Sequence, residues 1–599
     1  MNGKKLSTRD YQIFLYKCFW GLTLAWAGLL LGLAGYFYAW IAWGLTALIG
    51  IIMIKLAFQH RVVLRISLEM WIATITFIIL AITFAFVSTP TVFSGRDQGA
   101  ISEAAIRLNQ SHSFYFSTPA SQEFFKLHEK GRAQNFPGFY YTSTGELVTQ
   151  FPLAYISWLA LFFSLFGVAG FMLANAVLMY FFLMSFYLLL RLFIENISAI
   201  PSMLFVGTSF IFMWFSRFTL SENMALPLLW TSLLAMMLIV QYQRLLFYTV
   251  FLLSITLLAF TRIEGIAFLI FSFIILFSFH DTRLYIKEKF FKRFLLPILA
   301  FLGIFIANAI VDINFYREMV RALLPSVKLP QAQYLGNLKN TPLPDYYTLK
   351  LFALYGMLGF FILAAIAIVT YFWKKEFHKL IPFFLILPTF IYLFDSNISP
   401  DHPWMLRRFM FSLTPLAIFY SGLLIGEWME KNSREKYANN FKVAAVGLTL
   451  ILIFQNFPAF SNFISFVEND GLLEQTKLLS ERFSDKDLIL IDQKATSDGW
   501  SMIAGPMSSL YGKNSVYFFN TQDLNKLDLS RFENIYLISS NDRVGYYMNS
   551  TLGKKLSENG DYSFRFSQLN SHKDEPLEEV SFPDKKETHI EGKIFKYAK

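Results

Sequence analysis

One cysteine, Cys18, stands in a chain of 599 residues, which excludes an intrachain disulfide and any cysteine-rich metal site. Charge is scarce too: Asp, Glu, Lys and Arg make up 16% of the residues, against roughly 25% in an average soluble domain. The basic N-terminal segment is followed by a long apolar stretch without an A-x-A cleavage pattern, so it reads as a retained signal anchor and not as a cleaved signal peptide. No internal repeat is apparent, and the tail lacks a glycine-rich phosphate loop.

What is present is grease. The chain is 55% hydrophobic and 18% aromatic, and apolar runs of about 17 to 25 residues recur along most of it, each long enough to cross a hydrocarbon core as a helix. The formal net charge of +10 does not point to nucleic acid, because the basic residues are not gathered on one soluble domain but sit in short loops between runs. That distribution reports orientation.

With the N-terminus cytoplasmic, the expected spans are 18–34, 37–57 and 69–88, then 170–190, 199–217, 224–240, 246–261, 264–280, 294–311, 349–372, 380–395, 408–426 and 441–460. Lys55, Arg61 and Arg65, Arg191, Arg244 and the basic blocks at 283–293, 373–379 and 427–436 then all face the cytoplasm. The apolar segment 150–167 breaks this parity if it crosses, so it is expected to lie in or dip into the outer interface. The expected fold is a polytopic α-helical membrane protein of about 13 transmembrane helices with a small C-terminal extracytoplasmic α/β domain. Its parts are 1–68 (cytoplasmic segment and two extra helices), 69–460 (membrane region with the large external loop 89–150) and 461–599. Strands are expected in that tail at 487–492, 516–519 and 534–539, beside a helix over 472–483.

Polar residues gather at the external ends of these helices. Arg96 and Asp97 open the first large loop, Ser221, Glu222 and Asn223 sit at a turn between spans, Arg262 and Glu264 close another, and Asp401, His402, Arg407 and Arg408 flank a late span. Plainer roles exist for several. Asp97 could cap the amphipathic helix that follows, Ser221 could cap its own, and Arg262 with Glu264 could be a structural ion pair. His402 has no second histidine at ligand spacing and reads as an interfacial residue. Arg407 and Arg408 are adjacent guanidinium groups on the side that usually lacks them, suited to phosphate oxygens.

An aspartate just after a membrane helix on a first large external loop, a second acid on the next external loop and an arginine-bearing late helix resemble the GT-C glycosyltransferases. The similarity is to the branch of protein O-mannosyltransferases and aminoarabinose transferases (glycosyltransferase family 39-like), over roughly residues 69–426. GRDQG departs from the Asp-Glu pair of the O-mannosyltransferases: Gln98 follows the aspartate, and the next acid is Glu103. Glu222 stands where many relatives carry aspartate.

The resemblance implies an inverting hexosyl- or pentosyltransferase in the inner (plasma) membrane that moves a sugar from a polyprenyl-phosphate donor to a hydroxyl on a protein, lipid or glycan acceptor. Asp97 is then the candidate base, with Glu222 orienting the acceptor or, with Asp97, helping to hold a divalent cation. Arg407, Arg408 and Arg262 would bind the donor phosphate, and Arg96, Glu103, Tyr140, Tyr141 and His402 would line the substrate path. The loop 312–347, with Arg317, Arg321 and Lys328, would cover the site. Two other classes remain: a transporter of lipid-linked saccharide or polysaccharide, and a scaffold or sensor whose tail binds a partner. Transporters tend to carry charge near the midplane on broken helices and to show inverted repeats, neither of which the sequence displays.

Overall fold

Residues 6–59, 66–87, 89, 91–128, 130–285, 291–311, 313, 316–317, 346–394, 401–431, 437–496, 501–570 and 580–599 are described in the computed structural model. Arg61, Arg65, Arg321 and Lys328 lie outside them.

The chain is mostly helical. Its first helix, Thr8–Leu33, starts ten residues before the expected span, because Ser7 caps it: the Ser7 hydroxyl accepts from the Asp10 amide at 3.3 Å, an arrangement worth about 1 kcal/mol. Among the described residues five helices are long and apolar enough to cross a membrane: Thr8–Leu33, Leu68–Phe86, Ala169–Arg191, Ser221–Tyr242 and Ala438–Phe463. Two bent pairs, Tyr347–Leu354 with Leu358–Trp373 and Trp404–Met410 with Leu413–Met429, bring the number to seven if each counts as one span. The first pair bends by 105° where a single span over 349–372 was expected. Gly356 sits at the bend with φ +73°, and a Cβ there would lie 2.6 Å from the Gln455 carbonyl oxygen, so the break is packed directly against the last long helix. Many large apolar side chains point outward, among them Ile79, Ile306 and Phe454, as on a surface solvated by lipid.

Ion pairs fix which helix ends lie together. Arg191, in the last turn of Ala169–Arg191, meets Glu69, in the first turn of Leu68–Phe86, at 2.7 Å, a pairing that also suits both helix dipoles. These helices are therefore antiparallel, and the opposite end of the bundle receives the chain leaving Phe86. The helix Leu153–Phe166 packs near that opposite end: Ser157 and Leu161 lie where a Cβ on Gly28 would reach, and the Leu161 carbonyl accepts from the Trp43 indole at 3.3 Å. Its 14 residues span only about 21 Å, short of a hydrocarbon core.

The segment between Phe86 and Leu153 forms the helices Asp97–Ser111 and Pro119–His128 with a small antiparallel sheet in the order 115–116, 147–149, 139–141, 131–132. After Phe463 comes a five-stranded sheet. Strands Asn514–Phe518, Leu488–Asp492 and Ile535–Ser540 run parallel, and Lys585–Tyr597 and Leu556–Leu569 continue the sheet antiparallel. The first three match the expected strands; the long hairpin does not appear among the expectations.

Candidate active site

The turn that presents Arg96 and Asp97 depends on a glycine. A Cβ on Gly99 would lie 1.6 Å from the Phe93 carbonyl oxygen, so only glycine lets residues 93–95 fold back over the first helical turn. Arg96 is the N-cap residue, in extended conformation and without a side-chain cap bond, and Asp97 is already helical. Asp97 therefore does not cap this helix. Ser221 does not cap its own either, since Leu220 holds that position.

Both side chains are used elsewhere. The Asp97 carboxylate lies 2.6 Å from Nη2 of Arg407 and is 40% exposed, open to a substrate. Arg407 Nε is 3.9 Å from Glu222, whose buried carboxylate lies 2.7 Å from Arg262 Nη1. Arg262 in turn grips Glu264 through Nε and Nη2, at 3.1 and 2.8 Å, and its Nη1 reaches the Ser221 hydroxyl at 3.4 Å. Five groups of alternating charge thus run from the surface inward, which is how buried charge is tolerated.

Beside this chain lies a cavity of about 260 Å³, open on one side. Arg96, Asp97, Asp401, Trp404, Arg407 and Arg408 contribute to its walls. The Arg96 guanidinium stacks over Trp404 at 4.2 Å and pairs with Asp401 at 3.4 Å. Arg408 faces Tyr392 at 5.7 Å, and among the described residues it makes no ion pair. Gly138, with φ +91°, brings its strand-edge loop against Ala100; a Cβ there would lie 2.3 Å from that of Ala100.

Not every expected residue is here. Tyr140 and Tyr141 are buried in the small sheet, the latter donating to the Ser121 carbonyl at 2.9 Å. Glu103 points away from the cavity, toward Ser94 at 3.2 Å and Arg107 at 3.8 Å, and burial pushes its carboxyl up. His402 is buried with Nδ1 at 2.9 Å from the Tyr355 hydroxyl. Glu222 and Arg262 lie behind the walls. Sequence reading did not single out Trp404, Gln150 and Phe151 as wall residues; the tryptophan beside Asp401 and His402 was the available signal. Among the described residues no group of three or more His, Cys, Asp or Glu converges, and the Arg407 guanidinium already bridges Asp97 and Glu222. A shared divalent cation does not fit this arrangement, and no step below is routed through one.

These features define a polytopic helical protein with a charged cavity at one end of its helices. No protein-family model matches the chain, and no curated protein matches it. In solved structures it is similar to ArnT from Cupriavidus metallidurans. The structure of that protein bound to undecaprenyl phosphate gives 12% identity and a TM-score of 0.46, covering 82% of this chain and 96% of that one. Its apo structure gives 10% identity and a TM-score of 0.44, over 88% and 97%.

Proposed function

We propose that the chain is a GT-C-type membrane glycosyltransferase that moves a sugar from a polyprenyl-phosphate donor to an acceptor hydroxyl at the outer face of the inner (plasma) membrane. The observation that carries this reading is one cavity wall holding both an exposed carboxylate, Asp97, and a guanidinium, Arg408, that makes no ion pair among the described residues. A base and an anion site side by side, at the end of apolar helices, suit a donor whose lipid lies in the bilayer and whose phosphate sits at its surface.

In this mechanism the acceptor oxygen attacks the anomeric carbon, the bond from that carbon to the phosphate oxygen breaks with inversion, and Asp97 takes the acceptor proton. Arg408 and Arg407 stabilise the charge that develops on the leaving phosphate. The Arg407 guanidinium, 2.6 Å from the Asp97 carboxylate, stands between the base and the position the donor phosphate takes. Glu222, itself paired with Arg262, holds Arg407 from behind. On this reading the N-terminus is cytoplasmic and the domain 461–599 is extracytoplasmic.

Purified protein in liposomes, given labelled sugars on undecaprenyl phosphate and natural lipid extracts, is expected to transfer the label to an added acceptor. Absence of transfer from every donor would overturn the reading. Arg408→Gln is expected to raise the donor KM by roughly 10- to 100-fold, the effect of losing a charged hydrogen bond; an unchanged KM would remove Arg408 from phosphate binding.

A further inference from the structure

The carboxylates of the site sit on two different helices, Asp97 on Asp97–Ser111 and Glu222 on Ser221–Tyr242. Something must set the distance between them. The loop 216–220, just before Glu222, is held rigidly. Asn175 donates to the carbonyls of Ser216 and Phe218 at 3.0 and 2.9 Å, and Asn223 to those of Phe215 and Phe218 at 3.1 and 2.6 Å. Arg217 reaches the carbonyls of Phe463, Ile464 and Phe466. From this fixed loop one hydroxyl crosses to the other helix: Thr219 Oγ1 donates to the Gln98 carbonyl at 2.8 Å and lies 2.7 Å from Ser102 Oγ.

We propose that Thr219 is a positioning residue of this site, fixing the turn that carries Asp97 against the helix that carries Glu222; the proposal rests on the transferase reading above. Thr219 has one hydroxyl hydrogen, and the Gln98 carbonyl can only accept, so that hydrogen goes to Gln98. Ser102 must then donate to Thr219, and Thr91, 3.4 Å from Ser102, donates to Ser102. The order Thr91, Ser102, Thr219, Gln98 is therefore directional. All three hydroxyls are buried, at 3%, 0% and 1% exposure, where an unmade hydrogen bond is costly and water does not substitute. Gln98 is the residue directly after Asp97, so a shift of its carbonyl moves the base itself.

The plain alternative is that these hydroxyls only hold the fold. Kinetics separates the two, because positioning acts on kcat while Arg408, which the variant leaves alone, governs donor capture. Wild type, Thr219→Val and Thr219→Ser are assayed for transfer from an undecaprenyl-phosphate-linked sugar in liposomes, with the thermal midpoint of each recorded. Thr219→Val keeps the side-chain shape and removes the oxygen. It is expected to lower kcat roughly 10- to 100-fold, the scale of a displacement near 1 Å at a reacting group, with a smaller change in donor KM. Thr219→Ser, which restores the oxygen, is expected to recover most of the loss. Wild-type kcat in Thr219→Val, or a Thr219→Ser variant as slow as Thr219→Val, overturns the proposal. Should Thr219→Val fail to fold, Thr219→Ala removes the same oxygen with less bulk, and wild-type kcat there is equally decisive against it. No transfer by wild type itself overturns the transferase reading and this proposal with it; transfer by wild type with unaffected variants overturns only this one.

Discussion

Asp97→Asn is expected to lower turnover by about 10²- to 10⁴-fold, the range that general-base catalysis contributes, while leaving donor binding in place. The substitution is nearly isosteric and removes the proton acceptor without opening space. Arg407 keeps Glu222 at 3.9 Å, so the phosphate side of the cavity stays organised. Binding of undecaprenyl phosphate alone is measured beside transfer of labelled sugar. Equal turnover in variant and wild type would take Asp97 out of the chemistry; loss of both binding and turnover would instead assign it to the architecture of the cavity.

The second large effect is on stability. Arg262→Met is expected to cost about 3 to 5 kcal/mol, the usual result of breaking a buried ion pair from one side, because it takes the partner from Glu264 and leaves Glu222 only Arg407, at 3.9 Å. Thermal midpoints of Arg262→Met and of Arg262→Met combined with Glu264→Gln, in one detergent, check this: the second change removes the charge left without its partner and is expected to recover part of the loss. No recovery would mean that Glu264 does not depend on Arg262.

Much of this architecture is legible in the sequence, and the reason is physical. Long apolar runs and a strand pattern such as LILID announce themselves by composition, as do charges at the ends of apolar runs, and Asp97, Glu222, Arg262, Arg407 and Arg408 are indeed neighbours in space. The bend at Gly356 was not readable, because its cause is the carbonyl of Gln455 on a helix about one hundred positions further along. Tyr140 and Tyr141 were expected along the substrate path from their aromatic character; adjacent in a strand, they point to opposite faces of the short sheet, and both are buried. The hairpin Leu556–Leu569 carried a period-two signal, Tyr562, Phe564 and Phe566, hidden by the charged residues around it. Glu103 shows the limit of spacing arguments: it lies on the helix of Asp97 but on the face that meets the tail, where a Cβ on Gly505 would come within 2.7 Å of its Oε2.

That last contact bears on how the protein is made. The turn carrying Arg96 and Asp97 is backed by residues from the far end of the chain: the Ser94 amide donates to the Met502 carbonyl at 3.1 Å, and Arg107 and Gln110 reach Ser508 and the Ser509 carbonyl at 2.5 and 2.7 Å. A ribosome delivers the turn some 400 residues before its backing. During insertion the bundle therefore stands in the bilayer with this turn unsupported, and it gains its support only when the tail has emerged and folded against it. A chain stopped before residue 502 would carry every charged residue of the cavity and still lack the residues that pack behind the turn of Asp97.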